Sequence, residues 1–425
     1  MNRRSFLATA GAAALAPSVM GQNKAARIFK VALVGCGGRG TGAMRDIHAA
    51  AKRLGCEIKI TALADFFADK VNKLGDAYGV DPKVRFVGAD GYLKAIATDC
   101  EIVMLCTPPF FRPLHLEACV AAGKHIFAEK PIATDPRGVR RFLKAAAEAK
   151  AKKLSLLAGT CVRHRIDVAS QLNPFRAGAL GQVRAGRVYR CHGSLRQYER
   201  PRRPTDTNAG YLANCWYMFW EMGGDQITEQ AIHQVDTANW FIGRCPESAL
   251  AFGGRWRRPM GDIYDELAID FDYGDELHVA AYGRHVDGCA NPVGTRLVCT
   301  DGYISIGGKM KRFDGKDVAP DMASVEDFER SNLVQEHKTN LQALLEGRFL
   351  AEGEQLAMAT ATCVMGTLAA YSGRVVKMRD ILENERSEFY DKWNTAFLPE
   401  DFERTDDIPL PPDGKAGFVP GVAQA

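Results

Sequence analysis

The run Ile126-Phe127-Ala128-Glu129-Lys130-Pro131 ends a strand-like apolar stretch on a lysine whose backbone is restricted by the proline after it. An ammonium fixed there can donate to a hydroxyl or carbonyl oxygen, or act as an acid if burial lowers its pKa. Further along, Gly223 to Asp236 reads as a loop entering a helix, with Glu229, His233 and Asp236 at i, i+4 and i+7 and so on one face. A histidine with a carboxylate one turn away is a tunable base near neutral pH. Lys130 and His233 are thus candidates for an acid and a base on one substrate, with Glu229 expected to orient His233 and Asp236 to bind a neighbouring substrate hydroxyl; the plain alternatives are a surface lysine paired with Glu129 and a helix-surface ion pair. No metal is expected, because these residues lack a clear third ligand set.

An acid and a base at one oxygen suit oxidation or reduction of a carbinol carbon, which needs an electron carrier. The segment Val31-Ala32-Leu33-Val34-Gly35-Cys36-Gly37-Gly38-Arg39-Gly40 supplies a place for one. It follows a strand pattern and opens a helical one, the context of a dinucleotide-binding turn. Gly35 permits the tight turn, Gly37 lets the backbone approach a pyrophosphate, and Gly40 lets helix pack on strand. Gly38 and Arg39 complete the loop at a helix N-terminus that attracts the anion. Asp65 stands 25 residues after Gly40 at the end of the next strand, placed to accept hydrogen bonds from both adenosine ribose hydroxyls. Phe66-Phe67 supplies no cation for a 2′-phosphate, so NAD is favoured over NADP. Thr107-Pro108-Pro109 closes the fourth strand as a rigid turn bordering the nicotinamide ribose, and Glu129 and Lys130 complete the expected cofactor set.

The elements that must position these residues are legible as patterns. Apolar runs at Phe29 to Val34, Ile58 to Ala64, Val84 to Val87, Ile102 to Cys106 and His125 to Ala128 alternate with helical stretches such as Thr41 to Leu54, Ala68 to Tyr78 and Leu114 to Ala122. Continuous apolar strands alternating with helices mean an α/β fold with a doubly wound parallel sheet, expected over residues 27–152. Leu154 to Gly159 looks like a sixth strand. Beyond it alternating strands at Val183 to Arg190, Ala249 to Phe252, Leu267 to Tyr273, Leu277 to Tyr282, Arg296 to Cys299 and Tyr303 to Ile306 predict an open, mainly antiparallel sheet in a second α/β domain, residues 153–385. A helix from about Gly353 to Ser372 should pack on it, and residues 386–425 read as an irregular tail.

The length of 425 residues fits two domains, and a formal net charge of +4 with no basic block argues against a nucleic-acid partner. Arg3-Arg4-Ser5-Phe6-Leu7, a short small-residue apolar run, Pro17 and further small residues to Gly21 read as a twin-arginine export signal over residues 1–22. The run is too short to span a bilayer, so cleavage and a periplasmic location are expected rather than a stable membrane anchor. The twelve cysteines are scattered without a Cys-x-x-Cys, and most read as small buried hydrophobes. Export after folding in the reducing cytoplasm accounts for free thiols and permits a cofactor to be loaded first.

Arg163 after the sixth strand, Arg112 after the Pro-Pro turn, and Trp216-Tyr217 before the glycine pair are expected to shape the substrate pocket, since arginine forks and aromatic faces suit a polyhydroxylated ring. Taken together, Gly35-x-Gly37-x-x-Gly40, Thr107-Pro108, Glu129-Lys130-Pro131 and the helix bearing Glu229 and His233 resemble the Gfo/Idh/MocA family over about residues 28 to 380. The resemblance implies a Rossmann domain plus an open-sheet domain, NAD(P), homo-oligomers (dimers or tetramers) built through that sheet, carbohydrate substrates, and catalytic roles for Lys130 and His233. Two positions depart from the pattern: Glu229 stands where the family more often has Asp, and Arg112 where many members place a histidine. Three functions follow as alternatives. The first is an NAD(P)-dependent oxidoreductase of a sugar or cyclitol with tightly bound cofactor. The second is a glycoside hydrolase that works by transient oxidation without net redox change, and the third is a non-catalytic sugar-binding protein. Export favours a nucleotide regenerated on the enzyme, because no NAD pool exists outside the cytoplasm. The loop Gly193 to Tyr211, with its basic run Arg196 to Arg203, is either a determinant for an acidic sugar or a solvated loop.

Overall fold

The computed structural model describes residues 26–411 with the exception of Pro259; the expected export signal and residues 412–425 lie outside the described residues. Six parallel strands, β1 (Ile28–Val34), β2 (Glu57–Asp65), β3 (Arg85–Val87), β4 (Ile102–Leu105), β5 (His125–Ala128) and β6 (Leu156–Ala158), form the first sheet in the order β3-β2-β1-β4-β5-β6. The order reverses between β1 and β4, and the ends of these strands open a crevice there. The helices between them are α1 (Gly38–Arg53), α2 (Ala68–Tyr78), α3 (Gly91–Ile96), α4 (Arg112–Ala121) and α5 (Pro136–Ala151). Side chains alternate along β1: Val31 and Leu33 face α1 and α2, whereas Ala32 and Val34 face the opposite core. Because β6 joins this sheet, the first domain runs past the boundary expected at residue 152.

After β6 come α6 (Ile166–Arg176), the long strand β7 (Val183–His192), α7 (Asn208–Asn214), α8 (Trp220–Gly223) and α9 (Ile232–Ile242). The second sheet is completed by β8 (Ser248–Gly254), β9 (Glu266–Asp272), β10 (His278–His285), β11 (Val293–Cys299), β12 (Gly302–Ser305), β13 (Met310–Arg312) and the short β14 (Val376–Lys377). Its order is β13-β12-β11-β7-β10-β9-β8-β14, antiparallel throughout except for the β7–β10 pair. One face carries α9 and α11 (Gly353–Ser372), which also packs on α5, so the two sheets share a continuous core. Among the described residues the other face is open, with Leu250, Phe252 and Tyr282 exposed on it.

The sequence pattern did not reveal α10 (Asn332–Leu345), which packs on α1. The tail is not loose over its described part: α12 (Met378–Leu382), α13 (Glu388–Asp391) and α14 (Asp401–Arg404) are short, and Phe389, Trp393, Phe397, Phe402 and Ile408 are buried between them and the first domain. All twelve cysteines are free thiols. No described helix is long and apolar enough to cross a membrane.

Candidate active site

A cavity of about 610 Å³ lies in the crevice between the domains, and residues of both sequence clusters line it. In the first cluster the chain turns sharply after β1. Gly35 has φ +98°, a conformation that disfavours side chains, and a Cβ on Gly40 would lie 1.8 Å from the Gly35 carbonyl oxygen. A Cβ on Gly37 or Gly38 would instead project into open space, so this turn leaves a cradle where backbone can meet a ligand. The N-terminus of α1 has no side-chain cap and no acidic residue in its first turn, and its N–H groups remain available to an anion. These are the features a dinucleotide pyrophosphate needs, so the residues present fit NAD(P).

Asp65 accepts from the Cys36 N–H (2.7 Å) and the Phe67 N–H (3.0 Å), which fixes its carboxylate at the cleft wall. Burial raises its pKa, opposed by the charge of Lys70 and by those two bonds. Lys70 lines the same wall with its ammonium 4.2 Å from the Phe67 ring centroid, so a cation does stand near Asp65, five residues on rather than immediately after it. Thr107 and Pro108 border the middle of the cleft. The Thr107 hydroxyl is held by His115 (3.2 Å), whose pKa burial and the nearby Arg112 press down to about 3. Arg39 spans from Asp46 (3.0 Å) to Glu129 (3.0 Å), and Glu129 also accepts from the Lys130 N–H (3.1 Å). The glycine-rich turn and the Lys130 loop are thereby braced against each other. Burial works against the Arg39 charge, but Glu129 and Asp46 outweigh it and raise its pKa.

In the second cluster Lys130, Glu229 and His233 line the cleft together. The segment Ile227–Ala231 winds as a π-helical turn before α9, a feature the spacing did not reveal. The Lys130 Nζ donates both to the Glu229 carbonyl oxygen (2.6 Å) and to its Oε1 (2.9 Å). Burial raises the Glu229 pKa, and Lys130 and Arg112 pull it back. Glu229 therefore holds Lys130, not His233 as expected from their one-turn spacing. The His233 Nδ1 is buried without a hydrogen-bond partner, and burial, helped by the charges of Lys130 and Arg190, drives its pKa well below the usual imidazole range. A neutral imidazole beside a tethered ammonium is equipped to take a proton from a hydroxyl while the lysine polarises the same oxygen.

The structure distributes the remaining expected pocket residues differently. Arg112 lines the cleft, but its guanidinium donates to the Pro131 carbonyl and is nearly inaccessible; burial lowers its pKa. Trp216 lines the cleft, whereas Tyr217 lies behind it, buried and stacked on Tyr198. Arg163 and Asp236 do not reach it: they form a two-pronged ion pair (2.8 Å and 2.8 Å) beside a separate depression of about 200 Å³. Both Asp236 oxygens are thus occupied, and its expected contact with a substrate hydroxyl is withdrawn. The basic run is also spent locally, with Arg196 on Asp287 (2.7 Å), Arg200 on Asp206 (2.6 Å) and Arg202 on Asn208. Instead the loop brings Gln197 and Tyr198 to the cleft, near Gln230, which accepts from Arg190 at 2.8 Å. No local signal marks Tyr198; Gln230 could have been suspected from its place between Glu229 and His233. Among the described residues no group of three His, Cys, Asp or Glu side chains could hold a metal ion.

Residues 29–156 match the profile of an oxidoreductase family's NAD-binding Rossmann fold, and residues 176–305 match the GFO/IDH/MocA C-terminal domain. The chain belongs to the Gfo/Idh/MocA oxidoreductase family. It is 28% identical over 233 residues to inositol 2-dehydrogenase of Rhizobium meliloti (strain 1021), covering 54% of this chain and 62% of that one. It is 26% identical over 196 residues to a glycosyl hydrolase family 109 protein of Streptomyces coelicolor (strain ATCC BAA-471 / A3(2) / M145), covering 45% and 38%. The chain thus spans less than two thirds of the length of these curated relatives. The solved structure of the WlbA dehydrogenase from Bordetella pertussis, in complex with NADH and UDP-GlcNAcA, shares the fold with a TM-score of 0.64 at 18% identity, over 83% of this chain and 98% of that one.

Proposed function

We propose that this member of the family is an NAD(P)-dependent oxidoreductase acting on a secondary hydroxyl or ketone of a sugar, cyclitol or glycoside, with a tightly held cofactor. The observation that carries the proposal is that Lys130, tethered by Glu229, and neutral His233 line the same cleft as the glycine-rich turn and Asp65. Gly35, Gly37, Gly38, Gly40 and Asp65 would hold the nucleotide, and NAD is favoured because the Asp65 carboxylate suits ribose hydroxyls better than a phosphate. Bound nicotinamide supplies the acceptor for two electrons and the carbon-bound hydrogen. His233 takes the hydroxyl proton, Lys130 donates to the oxygen as it becomes a carbonyl, and Tyr198 and Trp216 offer ring faces to the sugar.

A second reading is favoured by the likeness to a glycosyl hydrolase family 109 protein. In it the hydride of a ring carbinol would pass to bound nicotinamide as His233 takes the hydroxyl proton, the proton of the adjacent C–H and the glycosidic group would then leave, water would add across the resulting double bond, and the hydride and proton would return to the carbonyl. The Arg3-Arg4 segment supports export to the periplasm, and the exposed Phe252 and Tyr282 on the open face of the second sheet support a homo-oligomer through that face. The deciding experiment is to denature the purified, unsupplemented protein, quantify released nucleotide, and assay sugars and glycosides with and without added NAD. Hydrolysis without added cofactor supports the second reading; oxidation only with added NAD supports a dissociable-cofactor dehydrogenase. A Lys130→Ala variant with undiminished turnover would overturn both.

A further inference from the structure

The described tail fastens both walls of the cleft at the Asp65 end. On the first-domain wall, Glu403 Oε1 accepts from the Tyr92 hydroxyl at 2.9 Å, and the Phe402 ring meets the Phe111 ring edge-on at 5.0 Å. Tyr92 and Phe111 both line the cleft. Glu400, one turn earlier, is anchored by Arg141 at 2.7 Å. On the opposite wall, the Asp406 carbonyl accepts from the Ala209 N–H (3.0 Å) and Asp407 Oδ1 from the Asn208 amide (3.0 Å). These residues open α7, whose far end presents Ala213 and Asn214 to the cleft, while Gly210 lies against Phe66 of the Asp65 wall.

Glu403 and Asp407 are only four residues apart, a length of chain that reaches about 13 Å when extended. The two walls cannot part at this end unless one anchor lets go. Unseating the segment would also expose Phe397, Phe402 and Ile408, each at most 4% accessible. A tail serving only to stabilise the first domain would have no reason to cross to α7.

We propose that residues 397–408 are a clasp over the adenosine end of the nucleotide site, setting the rate at which the cofactor leaves and so keeping it resident through many turnovers. The inference rests on reading the cleft as a dinucleotide site. It makes Glu403 and Asp407 determinants of retention that take no part in proton transfer.

The test loads the full-length chain with NAD and follows its replacement by isotopically labelled NAD by mass spectrometry. The double variant Glu403→Ala/Asp407→Ala should exchange nucleotide at least ten times faster than the wild-type chain, with turnover at saturating NAD unchanged. Phe402→Leu is a milder variant for the case in which the double variant fails to fold, and should accelerate exchange in the same direction. Arg404→Ala, which removes an exposed side chain on the same helix, should leave it unchanged. Equal exchange in the folded variants and the wild-type chain overturns the clasp. So does a wild-type chain that exchanges within the mixing time, yet NAD-dependent turnover in that chain would leave the reading of the cleft standing.

Discussion

The assignment of Glu229 to Lys130 can be tested through stability alone, without a substrate. The two side chains are each 11% exposed, and the ammonium is held at 2.9 Å by the carboxylate and at 2.6 Å by the carbonyl of the π-helical turn. Removing one member of a buried pair strands the other and typically costs about 3–5 kcal/mol. Glu229→Gln keeps an acceptor oxygen in place and leaves the carbonyl, so its cost should fall near about 3 kcal/mol. Lys130→Met should cost less, because burial already raises the Glu229 pKa and the stranded carboxyl can bind a proton. The double variant Lys130→Met/Glu229→Gln buries no stranded charge, and should be more stable than the sum of the single losses implies by about 2 kcal/mol. Urea unfolding of the four proteins at pH 7 gives this coupling energy directly. Single losses that add to within about 0.5 kcal/mol would refute the pairing and restore Glu229 to some other partner.

Further outcomes follow from the same geometry. His233→Asn should lower turnover by about 10²–10⁴, the usual contribution of a positioned general base, with little change in nucleotide binding, measured by steady-state kinetics and NAD titration. Asp236→Asn should destabilise the fold by breaking its pair with Arg163, while KM for the substrate stays within about threefold, since neither residue reaches the cleft. Gly40→Ala should cost about 1–3 kcal/mol or more in denaturant unfolding, because its methyl would collide with the Gly35 carbonyl. His115 has a folded pKa of about 3 against about 6.5 when unfolded, so at acid pH the unfolded chain binds a proton that the folded one refuses. Stability from this group is therefore complete above pH 6.5 and lost as pH falls. Between pH 7 and pH 5 the wild-type chain should lose about 2 kcal/mol more than His115→Gln does, read from urea unfolding at each pH.

Chemistry carried by local spacing was legible in the sequence. Gly35, Gly37 and Gly40 act within one turn of chain, and Lys130 ends a strand whose period announces it. Contacts across many residues were not legible: nothing near Arg163 or Asp236 says that they meet, although they are 73 residues apart in sequence and bidentate in space. The i, i+4 rule failed at Glu229 for a specific reason, since it presumes an α-helix and the π-helical turn turns both the carbonyl and the side chain of that residue toward Lys130. The tail shows a signal that was outweighed: its Pro and Asp content suggested irregularity, whereas Phe389, Trp393, Phe397 and Phe402 marked a segment with apolar surface to bury. Lys70 is not signalled by the two residues after Asp65, because it is the first turn of α2 that brings the fifth to the same wall.

The electrostatics of the cleft favour a closed cycle of chemistry. His233 is kept neutral by burial and by the charges of Lys130 and Arg190, so an imidazolium formed there on taking a hydroxyl proton would face two cations. Such a base holds its proton briefly and returns it readily when a carbonyl is reduced again. At the Asp65 end, walls joined within four residues of tail oppose departure of the nucleotide. If the clasp retains the nucleotide as proposed, such a site suits reactions whose electrons also return, either to the same sugar after elimination and hydration or to a second sugar.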